Sequence, residues 1–315
     1  LGARRAIGDV RVVAPIWDRR LILVTGKGGV GKTSLTAALA RAAHARGARV
    51  LVGEVTPTVH SPSPLFALFS KPRFNGEHPT ELEPRLMGVR LSPSGGHKLF
   101  LRAALKVKLL VEGAMRSAAL QRFLAAAPTF PEIGVLYQLV SVLREVEFDH
   151  FILDLPATGH ALGLAALPKV VNRIVPSGLI GDAIREGNER LADPEYTRAV
   201  VVTLPEAMPV AETGELIAGL RKHEVSVGAA ILNRMPPDPF VGDERVKLRA
   251  FLDTQRPALR GSKELKRLER AVAAREAFYA TMPTDLIRFE TPFHGETDDR
   301  AIVRAIEADL LRGFS

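Results

Sequence analysis

A glycine-rich stretch that ends in a lysine and a hydroxyl carries the clearest chemistry in this chain. Leu21–Thr33 reads LILVTGKGGVGKT, an apolar run followed by a loop that opens a helix. Gly26, Gly31, Lys32 and Thr33 fit the spacing G-x-x-x-x-G-K-[ST] of a phosphate-cradling P-loop. Glycine lets successive backbone N–H groups close around phosphate oxygens without Cβ clashes. The helix that starts near Lys32 points the positive end of its dipole at the same anion. The cradle therefore runs over Gly26, Lys27, Gly28, Gly29, Val30, Gly31, Lys32, Thr33 and Ser34. Lys32 is expected to reach the β- and γ-phosphates, and the Thr33 hydroxyl to bind Mg²⁺.

A second carboxylate-bearing strand end completes that chemistry. Phe148–His160 reads FDHFILDLPATGH, an apolar strand that stops at Asp154 before a Pro/Thr/Gly turn. Asp154 is placed like a Walker B carboxylate, which holds Mg²⁺ through water. The turn Pro156–His160 would lie beside the γ-phosphate, where a switch belongs, with Gly159 and His160 in its sensor. The plainer reading of Asp154 is a cap on the next helix. Lys27 is an extra lysine that the plain motif does not require. It is either a solvated loop lysine or, as in the deviant Walker A class, a residue that reaches across a dimer to the partner's nucleotide.

These residues need a scaffold that gathers strand ends. Short apolar, β-branched runs at Leu21–Thr25, Val50–Val55, Phe151–Asp154, Ala199–Thr203, Val227–Asn233 and Phe278–Met282 read as buried parallel strands. Helix-length segments separate most of them, and Ser34–Arg46 stops at Gly47. The pattern is that of an α/β P-loop NTPase, a mostly parallel sheet wrapped by helices. Residues 1–58 and 146–315 are expected to form its nucleotide-binding core. The stretch 59–145 reads as a mostly helical insertion: His60–Pro93 is irregular, while Lys98–Ala127 and Ile133–Glu145 are helical. A second short helical interruption falls at 168–194. Lys98–Ala127 has Leu101, Leu105, Leu109 and Ala119 among its apolar residues and a basic stripe of Lys98, Arg102 and Lys106. That is either a core-packed helix or a surface for a client or a membrane. Arg245–Arg275 reads as a solvated, charge-paired helix. Ala301–Leu311 reads as a closing amphipathic helix.

Composition narrows the function classes. The 315 residues are 46% hydrophobic, enough for a real core. The absence of cysteine excludes disulfides, thiolate metal sites and cysteine nucleophiles. The eight histidines are scattered, without the spacing of a zinc site. The net charge of +8 reads either as a compositional habit or as a mark of nucleic acid, acidic lipid or an acidic protein. No apolar run spans a bilayer, and LGARRAIGDVRVV lacks the apolar core of a signal peptide, so a cytoplasmic location is expected.

The motifs then become specific. DLPATGH resembles the D-T-A-P-T-G-H switch II of the arsenite-pump ATPase (ArsA) family, which includes the eukaryotic tail-anchored-protein targeting ATPase. Asp193–Thr213 is similar to that family's D-P-x-x-T … P-E … E-T segment, and Pro128–Glu132 to a P-G-x-x-E element. Ile231–Arg234 is similar to the strand-end motif whose asparagine, here Asn233, reads the adenine edge. The resemblance implies ATP and Mg²⁺ as ligands and a homodimer that closes around two nucleotides, with Lys27 acting across it. It also implies a protein client or partner complex. Two departures shape the reading. The family's switch I reads S-T-D-P-A-H, and alignment on Pro57 puts Thr56 where its water-positioning aspartate belongs. A threonine orients water but is a poor base, and Glu54, two positions back, is the substitute candidate. Without cysteine, neither the arsenite thiolates nor the zinc clasp of the targeting ATPase is expected. Three functions remain: an ATP-hydrolysing dimeric switch, a non-hydrolysing ATP-bound scaffold, and a partitioning-type ATPase that binds DNA or membrane.

Overall fold

The computed structural model describes residues 17–105, 130–157, 179–254 and 260–313. Its centre is one eight-stranded sheet. The strands are β1 (Leu21–Gly26), β2 (Val50–Val55), β3 (Thr80–Glu83), β4 (Leu86–Leu91), β5 (His150–Asp154), β6 (Thr197–Thr203), β7 (Val227–Met235) and β8 (Ile287–Pro292). Their order across the sheet is β3-β4-β2-β5-β1-β6-β7-β8, and every neighbouring pair is parallel except β3–β4. This is the α/β, mostly parallel architecture that the strand and helix pattern predicts.

Burial on both faces explains the unbroken apolar runs. In β1, Leu21 and Leu23 enter one core while Ile22 and Val24 enter the other, as the two-residue period of a strand requires. One core is covered by α1 (Lys32–Ala45), the short α2 (Pro64–Ala67) and α9 (Asp299–Gly313). The opposite core is covered by α4 (Phe130–Glu145), α5 (Leu179–Ala192), α6 (Ala207–Lys222) and α8 (Arg260–Thr281). Two further helices, α3 (Pro93–Leu105) and α7 (Glu244–Thr254), pack on α4 and α8 respectively. In α9, Val303, Ile306 and Leu310 are buried at helical spacing, so Ala301–Leu311 closes the core.

Three sequence expectations change. Phe278–Met282 is not a strand: Phe278 and Ala274 belong to the buried stripe of α8. A short apolar run has no period of its own, and here the long charged helix before it continues through. The last strand is β8 instead, whose Arg288 and Glu290 hid it among polar residues. His60–Pro93 is not wholly irregular, since it contains α2, β3 and β4. β3 reads TELE, a short, exposed, charged edge strand of the kind that blocks edge pairing. Arg245–Arg275 is divided between α7 and α8, joined by the ion pair Arg249–Glu269.

Among the described residues no helix is long and apolar enough to cross a membrane. Lys106, Leu109 and Ala119 of the expected helix Lys98–Ala127, and residues 168–178 of the interruption at 168–194, lie outside the described residues.

Candidate functional site

The strand order β2-β5-β1 brings three loops together at the carboxyl ends of the sheet. This is where parallel α/β sheets hold ligands. The loop after β1 is the glycine-rich cradle. Gly26 has φ +150°, and a Cβ there would meet the Val202 carbonyl of β6 at 2.3 Å. Gly31 caps α1 with φ 90° and ψ 24°, a left-handed turn that releases the chain into the helix. The α1 N-terminus has no side-chain cap and no acidic residue in its first turn. Lys32, Thr33 and Ser34 therefore present uncapped backbone N–H groups and a bare dipole end. Nothing within 4 Å would meet a Cβ on Gly28 or Gly29, so the tip of the loop is open.

Lys32 folds back over the loop, and its Nζ donates to the Lys27 carbonyl at 2.9 Å. Burial holds its ammonium below the usual lysine range, while the Asp154 carboxylate pulls the other way. The Thr33 hydroxyl donates to Asp154 Oδ2 at 2.6 Å. Asp154 Oδ1 is buried with no hydrogen-bond partner among the described residues. Burial pushes the Asp154 carboxyl up to about 6, against the lowering by Thr33 and Lys32, and the nearby Glu54 adds to the rise. Thr33 and Asp154 thus meet at one point, beside the lysine.

Val30 is buried, and its carbonyl accepts from Asn233 Nδ2 at 2.7 Å. Asn233 Oδ1 in turn accepts from the Thr291 hydroxyl at 2.6 Å. The structure thus places Asn233 beneath the P-loop as a brace. The next residue, Arg234, lines a cleft of about 1210 Å³ together with Pro205, Met208, Pro236, Phe240 and Phe293. Lys27 Nζ pairs with Glu212 of α6 at 2.7 Å and lies 3.8 Å from Met208 Sδ.

Glu54 and Thr56 lie beyond Asp154, on and just after β2. Glu54 Oε1 is 2.7 Å from Nε of Arg90 on β4, and both side chains are buried. The Thr56 hydroxyl donates to the Thr58 carbonyl at 2.9 Å. Neither group points freely toward the cradle. Gly159 and His160 lie outside the described residues. Sequence reasoning passed over Arg90, Glu212 and Thr291. A charge in the middle of the apolar run LMGVRL was the available signal for Arg90. Thr291 had none, because its strand was not recognised.

Comparison with known proteins agrees with this geometry. A family model described as "Anion-transporting ATPase" matches residues 19–178 and 180–258. The chain is 27% identical over 228 residues to ATPase BagA of Mycobacterium tuberculosis, covering 69% of this chain and 66% of that protein. It is 27% identical over 268 residues to ATPase GET3C of Arabidopsis thaliana, covering 70% and 68%. To the arsenical pump-driving ATPase of Escherichia coli it is 29% identical over 218 residues, covering 69% of this chain and 35% of that protein. The match thus spans slightly less than two thirds of the first of these relatives. A P-loop that leads into an uncapped helix, a hydroxyl–carboxylate pair at its mouth and a family match over most of the chain agree, and the chain belongs to the ArsA family of anion-transporting ATPases.

Proposed function

We propose that the chain binds and hydrolyses ATP as a homodimeric switch and couples its nucleotide state to a protein client or partner complex. The contact between Thr33 and Asp154 at the mouth of the P-loop carries this reading. A hydroxyl and a carboxylate are the oxygen donors that Mg²⁺ takes when it also keeps waters and phosphate oxygens. The buried, unpartnered Oδ1 of Asp154 suits a water-bridged ion. When bound, Mg²⁺ would neutralise charge on the β- and γ-phosphates. Lys32 leaves the Lys27 carbonyl to bind the phosphates, and the uncapped α1 N-terminus takes the anion. The adenine end of the ligand lies toward Asn233 and Arg234, where the 1210 Å³ cleft opens.

Lys27 supports the dimer. It sits on the exposed rim of the cradle, paired with the half-exposed Glu212. Exposed pairs of this kind are worth about 0–1 kcal/mol, so a partner's phosphate would displace the carboxylate readily. The relatives' names, ATPase GET3C and arsenical pump-driving ATPase, support ATP turnover; the client is the proposal's own element.

A second reading, the non-hydrolysing scaffold, is favoured by one observation: Thr56 and Glu54 are both committed to partners other than the cradle. Steady-state ATP hydrolysis with Mg²⁺, against Lys32→Ala as the blank, separates the two. Turnover above the blank, with nucleotide binding lost in Lys32→Ala, is the expected result. Tight binding without turnover would replace the switch with the scaffold.

A further inference from the structure

We infer that Arg90, oriented by Glu54, is a positioning residue that holds the segment 56–61 at the phosphate end of the site. The inference rests on the ATP-binding reading above and assigns Glu54 a role other than general base.

Register places the charges. Glu54 is the Cα partner of Arg90 in the β2–β4 ladder and of Asp154 in the β2–β5 ladder. In a parallel sheet such partners share a face, so Arg90, Glu54 and Asp154 form one row across three strands. Lys32 stands beyond Asp154 in the cradle. The row thus runs cation, carboxylate, carboxylate, cation. Arg90 offsets the repulsion between the two carboxylates from one side, as Lys32 does from the other.

The guanidinium does more than balance charge. Arg90 is 1% exposed. Its Nη1 converges on the carbonyl oxygens of Val59, Ser61 and Phe74 at 2.7, 2.8 and 3.0 Å. Its Nη2 donates to the Thr56 hydroxyl oxygen at 3.4 Å. A buried guanidinium is costly unless a carboxylate and further acceptors surround it. Here two of the acceptors, the Val59 and Ser61 carbonyls, belong to the loop that follows β2 beside the cradle, and the third, Phe74, lies beyond α2. Arg90 therefore sets the path of residues 56–61, and Glu54 sets the orientation of Arg90.

The anchor is itself held from behind. The Arg90 backbone N–H donates to the Gly76 carbonyl at 2.7 Å. Gln138 of α4 donates to the carbonyls of Arg90 and Glu77 at 3.2 and 2.9 Å. Its Oε1 accepts from the Ser92 N–H at 2.9 Å. Gln138 thereby ties the strand that carries Arg90 to the helical layer.

Lysine at position 90 keeps the charge but loses the planar fork. In Arg90→Lys, amide hydrogen exchange in peptides that cover 56–61 should rise about tenfold, while peptides from β6 and β7 stay as in the wild type. The kcat for ATP should fall about tenfold or more, with nucleotide affinity within about threefold, because a displaced loop harms chemistry more than binding. Glu54→Gln preserves shape and should open the same peptides. In the double variant the two effects should not add, since one device is broken twice. Exchange at 56–61 equal to wild type in both variants, or strictly additive effects, would overturn the assignment. If Arg90→Lys does not fold, Glu54→Gln reads the same peptides. A wild-type protein that shows no turnover above Lys32→Ala defeats the hydrolytic reading alone; exchange at 56–61 then decides the positioning role by itself.

Discussion

Burial pushes the Asp154 carboxyl up to about 6, and this one shift has consequences for stability. An unfolded aspartate titrates near about 3.9. The folded, ligand-free protein therefore holds a proton at Asp154 that the unfolded chain has already lost between those values. The associated stabilisation is full below about pH 4 and is lost as the pH rises through about 6. At pH 7.5 the ionised, buried carboxylate then costs about 3 kcal/mol relative to its protonated form. Asp154→Asn keeps an oxygen for the Thr33 hydroxyl and removes that charge. The ligand-free variant should melt higher than wild type at pH 7.5, and the gap should close below about pH 4. It should also lose the Mg²⁺ dependence of nucleotide binding. Thermal melts at the two pH values check the first statement, and calorimetric titration with and without Mg²⁺ checks the second. The same residue thus lowers the stability of the ligand-free protein at neutral pH.

At the scale of elements, the site depends on backbones that approach closely. A Cβ on Gly26 would meet the Val202 carbonyl at 2.3 Å, so β6 must move to admit it. Gly26→Ala should cost about 2–4 kcal/mol and weaken nucleotide binding, as denaturant unfolding and titration would read. The crossing of α3 and α4 is tighter still: a Cβ on Gly96 would lie 1.7 Å from the Gly134 carbonyl oxygen. Gly96→Ala should separate these helices and cost a similar amount, with nucleotide affinity affected less than in Gly26→Ala. Parity of the two variants in binding would argue that the helical layer and the cradle are one cooperative unit. The motif glycines of the cradle were legible in the sequence because their spacing is a chemical signature. Gly96 was not, because its reason lies in another helix. The strands β4 and β8 escaped for a related cause: each carries charged residues whose partners, Glu54 for Arg90 and Arg275 for Glu290, come from distant elements.

For the whole molecule the open question is what faces the rim of the cradle. Lys27 and Glu212 pair at 2.7 Å with both side chains more than a third exposed, and Met208 beside them is 66% exposed. Lys27→Ala should change the monomer's stability by less than about 1 kcal/mol. If Lys27 acts across a dimer, the variant should lose ATP-dependent dimerisation, measured by sedimentation. A dimer population equal to wild type would place Lys27 within its own chain's site. The net charge of +8 makes one further check worthwhile: DNA or anionic vesicles that bind in a strongly salt-dependent way would favour the partitioning reading.

The glycine-rich loop, the parallel α/β plan and the family were all determined by the sequence itself. Each rests on local spacing, because a glycine turn, a strand end and a helix start are made by neighbours along the chain. Tertiary structure alone decided which groups those residues meet. Beside Glu54 and Thr56, the candidates for handling water, the fold set a buried arginine from β4. For Asn233, the candidate for reading adenine, the fold added contacts with Thr291 of β8 and the Val30 carbonyl. Pairing across a sheet depends on strand order and register, which join residues far apart in sequence and leave no periodic trace along it.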